Sequence, residues 1–258
     1  MPQTINNKIQ RGFSESAKTY DHFSSLHKGI ADKLFARVAK ERAPSALLDV
    51  GCGTGYLTAR IKDHFSQSKI IGLDFAQGML EVARSKKEDI IWILADGNNL
   101  PFSSGCFDIV ISNLAYQWAE DLSRAFSEVR RVLSPSGTLA CTLFGYNTCQ
   151  ELFQCLDEAG GRRLQFVRLP DQLKIREALI VSGFRNPIVE CEQIKIEFKD
   201  MYELMAWFKV IGAPHLPREG YLGPEAVSRA ASIYLGKFAY LQGSVGATFE
   251  VIRVYAKR

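Results

Sequence analysis

No apolar run in the 258 residues approaches the length needed to cross a bilayer: stretches such as Ile90 to Ala95 stop far short of the roughly 20 residues that a spanning helix requires. The opening Met-Pro-Gln-Thr-Ile-Asn-Asn-Lys has no apolar signal core either, so a soluble cytoplasmic protein without membrane attachment is the expectation. Cysteine pairs are missing too. The six cysteines (52, 106, 141, 149, 155, 191) are scattered, no Cys-x-x-Cys occurs, and none of the four histidines stands at zinc-site spacing. Neither a disulfide framework nor a bound metal is expected. Nor does charge of one sign gather anywhere: 32 basic and 28 acidic residues are mixed along the chain for a net +4. That excludes a nucleic-acid arm, although a mildly basic surface suits an acidic protein partner.

What is present is a chain that is 47% apolar and 23% charged, enough for one large α/β domain over 1–258. Residues 8–42 read as an N-terminal helical segment, with Phe23, Leu26, Ile30, Leu34 and Val38 at three-to-four spacing. After Pro44, short apolar runs alternate with amphipathic stretches. Strands are predicted at Ala46 to Val50, Lys69 to Leu73, Ile90 to Leu94, Phe107 to Ser112 and Gly137 to Phe144, the rhythm of a parallel sheet. Ile188 to Phe198 alternates with period two, and Ala247 to Tyr255 can pair with it. Between those two lie helical patterns split by a Gly-Pro-rich loop. The expected division is therefore a core over 45–198 and 244–258 with a helical lid inserted at 199–243.

The strongest signal is Leu47-Leu48-Asp49-Val50-Gly51-Cys52-Gly53-Thr54-Gly55, three glycines at alternate positions between a buried strand and a helix. Missing side chains let the backbone turn tightly and approach a ligand at the strand's carboxyl end, where open α/β sheets bind. A dinucleotide loop spaces its glycines Gly-x-Gly-x-x-Gly, and position 56 here is Tyr, so a pyrophosphate is not the expected ligand. Asp74 ends the second strand some twenty residues on, placed to accept from ribose hydroxyls, and Asp96 with Gly97 ends the third, placed to accept from an adenine amino group. Together they describe a nucleoside without phosphates.

In content and order these motifs, from about Ala46 to Phe144, resemble the class I S-adenosylmethionine-dependent methyltransferases. The resemblance implies a Rossmann-like α/β fold, mostly parallel with an antiparallel last strand, and S-adenosylmethionine as methyl donor. It implies that Gly51 and Gly53, with Cys52 between them as a small apolar filler, face the methionyl part. Asp74 would hold the ribose, Phe75 and Met79 one side of the adenine, and Asp96 and Gly97 its other edge. Asn113 and Leu114 would touch the donor through backbone, and Tyr20 and Trp118 would stand near the reacting groups.

The fourth strand continues into Ser112-Asn113-Leu114-Ala115-Tyr116-Gln117-Trp118, which lacks the Asn/Asp-Pro-Pro-aromatic quartet that clamps a planar amino nitrogen. Oxygen or carbon acceptors remain. That phrase is similar to one in the biotin-pathway malonyl-acyl-carrier-protein O-methyltransferases. So are Phe13 to Tyr20 with Asp21, the lid phrase Lys209-Val210-Ile211-Gly212-Ala213-Pro214-His215-Leu216, and the closing Thr248-Phe249-Glu250-Val251-Ile252. This resemblance implies methyl transfer to the free carboxylate of a malonyl thioester on acyl carrier protein or coenzyme A, with no general base. Tyr20, Trp118, His215 and Arg218 are the candidate acceptor contacts. Two alternatives stay open: a methyltransferase of a quinone or another apolar small molecule, and a non-catalytic binder of S-adenosylmethionine.

Overall fold

The computed structural model describes residues 2–160, 169–211, 223–240 and 243–258. It opens with two helices, α1 (Pro2–Phe23) and α2 (Ser25–Val38), where the sequence pattern suggests one continuous segment. The backbone leaves the helical range at Ser24, with φ −96° and ψ 25°. The two helices bury different surfaces. Ile30, Leu34 and Val38 of α2 enter the core, but Phe23 is exposed, and the apolar face of α1 is instead Ile9, Phe13 and Ala17.

The sheet follows: β1 (Ala46–Val50), α3 (Tyr56–His64), β2 (Lys69–Asp74), α4 (Gln77–Lys86), β3 (Ile91–Leu94), β4 (Phe107–Asn113), α5 (Leu122–Val132) and β5 (Leu133–Phe144). Then come α6 (Gln150–Gly160), α7 (Gln172–Val181), β6 (Arg185–Phe198), α8 (Met201–Val210), α9 (Pro224–Phe238) and β7 (Val245–Lys257). The strand order is β3-β2-β1-β4-β5-β7-β6. Pairs among β1 to β5 are parallel, and β7 runs antiparallel to both its neighbours, with Leu139 opposite Ala256 and Ile194 opposite Phe249. The Rossmann-like sheet with an antiparallel last strand is what the chain forms. The expected turn at 134–137 survives as a bulge inside β5, because Phe107 pairs with Leu133 while Ile109 already pairs with Thr138.

Alternate residues of β1 feed opposite faces, as a sheet covered on both sides requires. Leu48 and Val50 pack with Phe126, Val129 and Leu179, whereas Leu47 packs with Leu34, Leu57 and Ile61. The chain lays β2 and β3 on one side of β1 and β4 and β5 on the other, so a crevice opens at the carboxyl ends of β1 and β4.

Between β6 and β7 the inserted helices α8 and α9 share a third core with α6, a helix absent from the sequence prediction. Leu152, Cys155 and Leu156 meet Ala230 and Tyr234 there, and the Tyr234 hydroxyl donates to Gly246 O at 3.0 Å. No helix among the described residues is long and apolar enough to cross a membrane.

Candidate active site

Three left-handed glycines shape the loop after β1: φ is 72° at Gly51, 54° at Gly53 and 80° at Gly55. At Gly51 the need is double, because a Cβ there would lie 2.2 Å from the Ala115 Cβ. The loop is tied to β2 through Gly51 and Cys52, whose N–H groups both donate to Leu73 O, at 2.7 and 3.0 Å. Asp74 completes the tie. Its Oδ2 accepts from Gly53 N and its Oδ1 from Ala76 N, each at 2.8 Å. Burial pushes the Asp74 carboxyl up to about 6, against the pull of these backbone N–H donors. Below it, Asp49 is pushed up to about 7 by burial, opposed by the Thr58 hydroxyl at 2.6 Å and reinforced by the charge of Asp74.

The crevice is a cavity of about 360 Å³. Its walls hold Tyr20, Gly51, Gly53, Asp74, Phe75, Met79, Asp96, Gly97, Asn113, Leu114 and Trp118, so eleven of the predicted donor-facing residues converge. Cys52 is the exception. Its side chain turns toward Gly72 under the loop and is buried, with a thiol pushed far above its usual range by burial, and it lines a smaller adjoining cavity in place of the main one. His215 and Arg218 lie outside the described residues.

Each wall has a local cause. Asp96 Oδ1 caps the turn after β3 by accepting from Asn98 N and Nδ2, at 2.9 and 2.8 Å. Leu114 sits in the left-handed region at φ 54°, a cost of roughly 1–2 kcal/mol for a residue with a Cβ. Its N–H donates to Thr142 O at 3.0 Å, and its side chain joins the core of the insertion, which together hold the strained turn. The Asn113 side chain is spent on structure: Oδ1 accepts from Thr142 Oγ1 at 2.8 Å, and Nδ2 donates to His27 O at 3.2 Å.

The fourth wall is α1, whose role at the site composition and periodicity do not announce. Gln10 Nε2 donates to Phe75 O at 2.6 Å, and the Phe13 ring stands 6.3 Å from that of Phe75 and 6.0 Å from that of Trp118. Close approach to α4 depends on Gly78, where a Cβ would lie 2.3 Å from Ser14 O. At the end of α1, Asp21 accepts from Thr54 Oγ1 at 2.7 Å and pairs with Lys86. Burial raises the Asp21 carboxyl, but the bonds from Lys86 and Thr54 outweigh it and hold the group below its usual range. Tyr20, half-buried beside Asp74 and Asp21, has its phenol raised by desolvation and by those charges, and stays a neutral donor. A second, smaller cavity of about 60 Å³ adjoins, sharing Tyr20, Gly51, Gly53 and Asn113 and adding Asp21, His27, Lys28 and Asp49.

The lining fits a nucleoside that carries a cation. None of the described residues around the main cavity is Lys or Arg, so nothing there matches a phosphate, whereas two carboxylates stand at its sides. Asp74 retains acceptor capacity on each oxygen, since a carboxylate offers about four lone-pair positions. Among the described residues no group of three or more His, Cys, Asp or Glu could hold a metal ion.

Sheet, glycine loop and strand-end carboxylates define a class I methyltransferase, and residues 48–141 match the family model described as a methyltransferase domain. Solved structures agree on the fold. The YcgJ protein of Bacillus subtilis superposes with a TM-score of 0.62 at 16% identity, covering 88% of this chain and 97% of that one. Phosphoethanolamine N-methyltransferase 2 of Haemonchus contortus, in complex with S-adenosyl-L-methionine, reaches 0.61 at 19% identity, covering 95% and 57%. The similarity to curated proteins goes further along the chain. Malonyl-[acyl-carrier protein] O-methyltransferase of Halorhodospira halophila is 32% identical over 98% of this chain and 88% of its own length. That of Hahella chejuensis is 34% identical over 97% and 90%. The chain belongs to the malonyl-[acyl-carrier protein] O-methyltransferase family.

Proposed function

We propose that this protein transfers the methyl group of S-adenosylmethionine to the free carboxylate of a malonyl thioester on acyl carrier protein, as a step of biotin biosynthesis. The observation that carries the reading is the extent of similarity. It runs beyond the methyltransferase domain at 48–141 to 98% of the chain, and so takes in α1, which walls the crevice, and the α8–α9 insertion.

In this reading Asp74 accepts from the ribose hydroxyls, Phe75 and Met79 flank the adenine, and Asp96 with Gly97 borders its edge. Gly51, Gly53, Asn113 and Leu114 offer backbone to the methionyl part. The smaller cavity, with Lys28 opposed to Asp21 and Asp49, suits that part's zwitterionic end. When bound, the donor supplies an electrophilic methyl on a positively charged sulfur. The malonyl oxygen bonds to the methyl carbon as the carbon–sulfur bond breaks with its electron pair staying on sulfur, and no proton moves. A carboxylate is ionised at neutral pH, so no base is needed and the protein contributes alignment. The rings of Phe13, Trp118 and Tyr20 line the crevice with apolar surface, and two charges annihilate more readily in a dry site than in a wet one.

The test is incubation of the protein with labelled S-adenosylmethionine and malonyl-carrier, read by mass spectrometry of the carrier. A single added methyl whose label is released as methanol on alkaline hydrolysis supports the reading; an unmodified carrier contradicts it.

A further inference from the structure

Between the donor cavity and the insertion stands a box of aromatic rings with one polar member. His27, in the first turn of α2, has the rings of Tyr20, Phe144 and Trp207 each at 5.7 Å between centroids. These neighbours come from α1, β5 and α8, so the imidazole lies where the N-terminal helices, the sheet and the insertion meet. Its backbone is fixed, because His27 O accepts from Asn113 Nδ2, and α8 is pinned alongside by Trp207 Nε1 donating to Phe23 O at 2.9 Å. Its Nδ1, however, is shut off from solvent and has no hydrogen-bond partner among the described residues.

Packing alone does not account for this choice of side chain. A phenyl ring would fill an aromatic box equally well, and an unpartnered buried nitrogen is a cost that folded proteins rarely keep without use. His27 borders the smaller cavity beside Lys28, Asp21 and Asp49, which already give the zwitterionic end of the donor charged groups of both signs. The acceptor is what remains. It must reach the methyl group past Tyr20 and Asn113, the two residues that His27 touches and that also line the main cavity.

Resting on the malonyl reading above, we infer that His27 donates a hydrogen bond from Nδ1 to the acceptor carboxylate, holding the oxygen that does not attack. Burial lowers the imidazole to about 4, so at neutral pH the ring is uncharged. That suits the task. A Lys or Arg would pair the anion strongly and blunt it as a nucleophile, whereas a neutral N–H orients the carboxylate and leaves its charge for the sulfonium.

The test compares wild type, His27→Phe and His27→Asn for malonyl-carrier kinetics and, by calorimetry, for S-adenosylmethionine affinity. His27→Phe should raise the malonyl-carrier KM on the order of tenfold or more, the worth of one hydrogen bond to a charged group, and by a clearly larger factor than any change in donor Kd. His27→Asn, whose amide nitrogen falls near the position of Nδ1, should recover part of the loss. Wild-type kinetics in His27→Phe would overturn the inference and leave the malonyl reading standing; a wild type that does not methylate malonyl-carrier would overturn both. Should the variants not fold, the ¹⁵N resonance of His27 Nδ1 in the wild-type complex with S-adenosylhomocysteine should shift when malonyl-coenzyme A is added. An unmoved resonance would again overturn the inference.

Discussion

Replacing Asp74 by Asn separates what this carboxylate does for the fold from what it does for the ligand. The side chain is 5% exposed, and burial has moved its carboxyl from the ordinary aspartate range up to about 6. A shift of that size amounts to about 3 kcal/mol by which the empty protein disfavours the charge. The sign follows from the raised value: the native state holds this proton more tightly than the unfolded chain, so stability is lost as pH rises through about 4 to 6. The amide of Asp74→Asn carries no charge and escapes that loss, but it must turn its nitrogen toward either Gly53 N or Ala76 N, both now 2.8 Å from a carboxylate oxygen, and one bond worth about 1 kcal/mol goes. The melting temperature of the empty protein at pH 7.5 should therefore hold or rise. Donor binding should move the other way. Losing charge-assisted bonds to the ribose hydroxyls costs about 2 kcal/mol, roughly 30-fold in Kd by calorimetry. Because the donor requires ionised Asp74, wild-type affinity should also fall up to tenfold per pH unit below about 6, and the variant should not follow. Equal affinity in a folded Asp74→Asn, or a parallel pH profile in both proteins, would refute the assignment of Asp74 to the donor.

Two further perturbations probe the loop and the insertion. Gly51→Ala forces a Cβ into the Ala115 Cβ at a left-handed φ and should lower stability by more than about 1 kcal/mol with loss of donor binding, whereas Gly29→Ala, in α2 with nothing within 4 Å, should raise stability by up to about 1 kcal/mol; thermal melts of both variants check the pair. Arg218→Ala should raise the malonyl-carrier KM without touching donor affinity, and a defect that shrinks with salt would assign Arg218 to long-range attraction of an acidic carrier, while one that resists salt would assign it to direct contact.

The candidate donor site was legible because its chemistry is local in sequence. Gly51 and Gly53, Asp74, and Asp96 with Gly97 each follow a strand directly, so once the strands are recognised the sheet brings them together at its carboxyl edge. Cys52 lines the smaller cavity and not the main one, since adjacency in a loop does not say which way a side chain turns. Gln10 and Phe13 escaped for a different reason: a helical period reveals that α1 has an apolar face, but not that the face lies on Phe75 and Trp118 from across the fold. The break at Ser24 is likewise hidden, since Phe23 falls in register with Ile30 and Leu34 although it is exposed. Helix α6 did carry a readable signal in Leu152, Cys155, Leu156 and Ala159 at three-to-four spacing. Its partner α9 lies some seventy residues on, which is why the insertion reads as a separate lid when it shares a core with α6.

The most direct measurement of the central claim sets malonyl-carrier, malonyl-coenzyme A, succinyl-carrier and an apolar quinol side by side under saturating labelled S-adenosylmethionine. Each acceptor is compared by kcat/KM. The account predicts methyl ester formation on the malonyl thioesters, much slower turnover of the succinyl homologue whose carboxylate is displaced by one methylene, and none on the quinol. Transfer to the quinol with both malonyl thioesters untouched, or no transfer to any acceptor by protein that binds the donor, would contradict it.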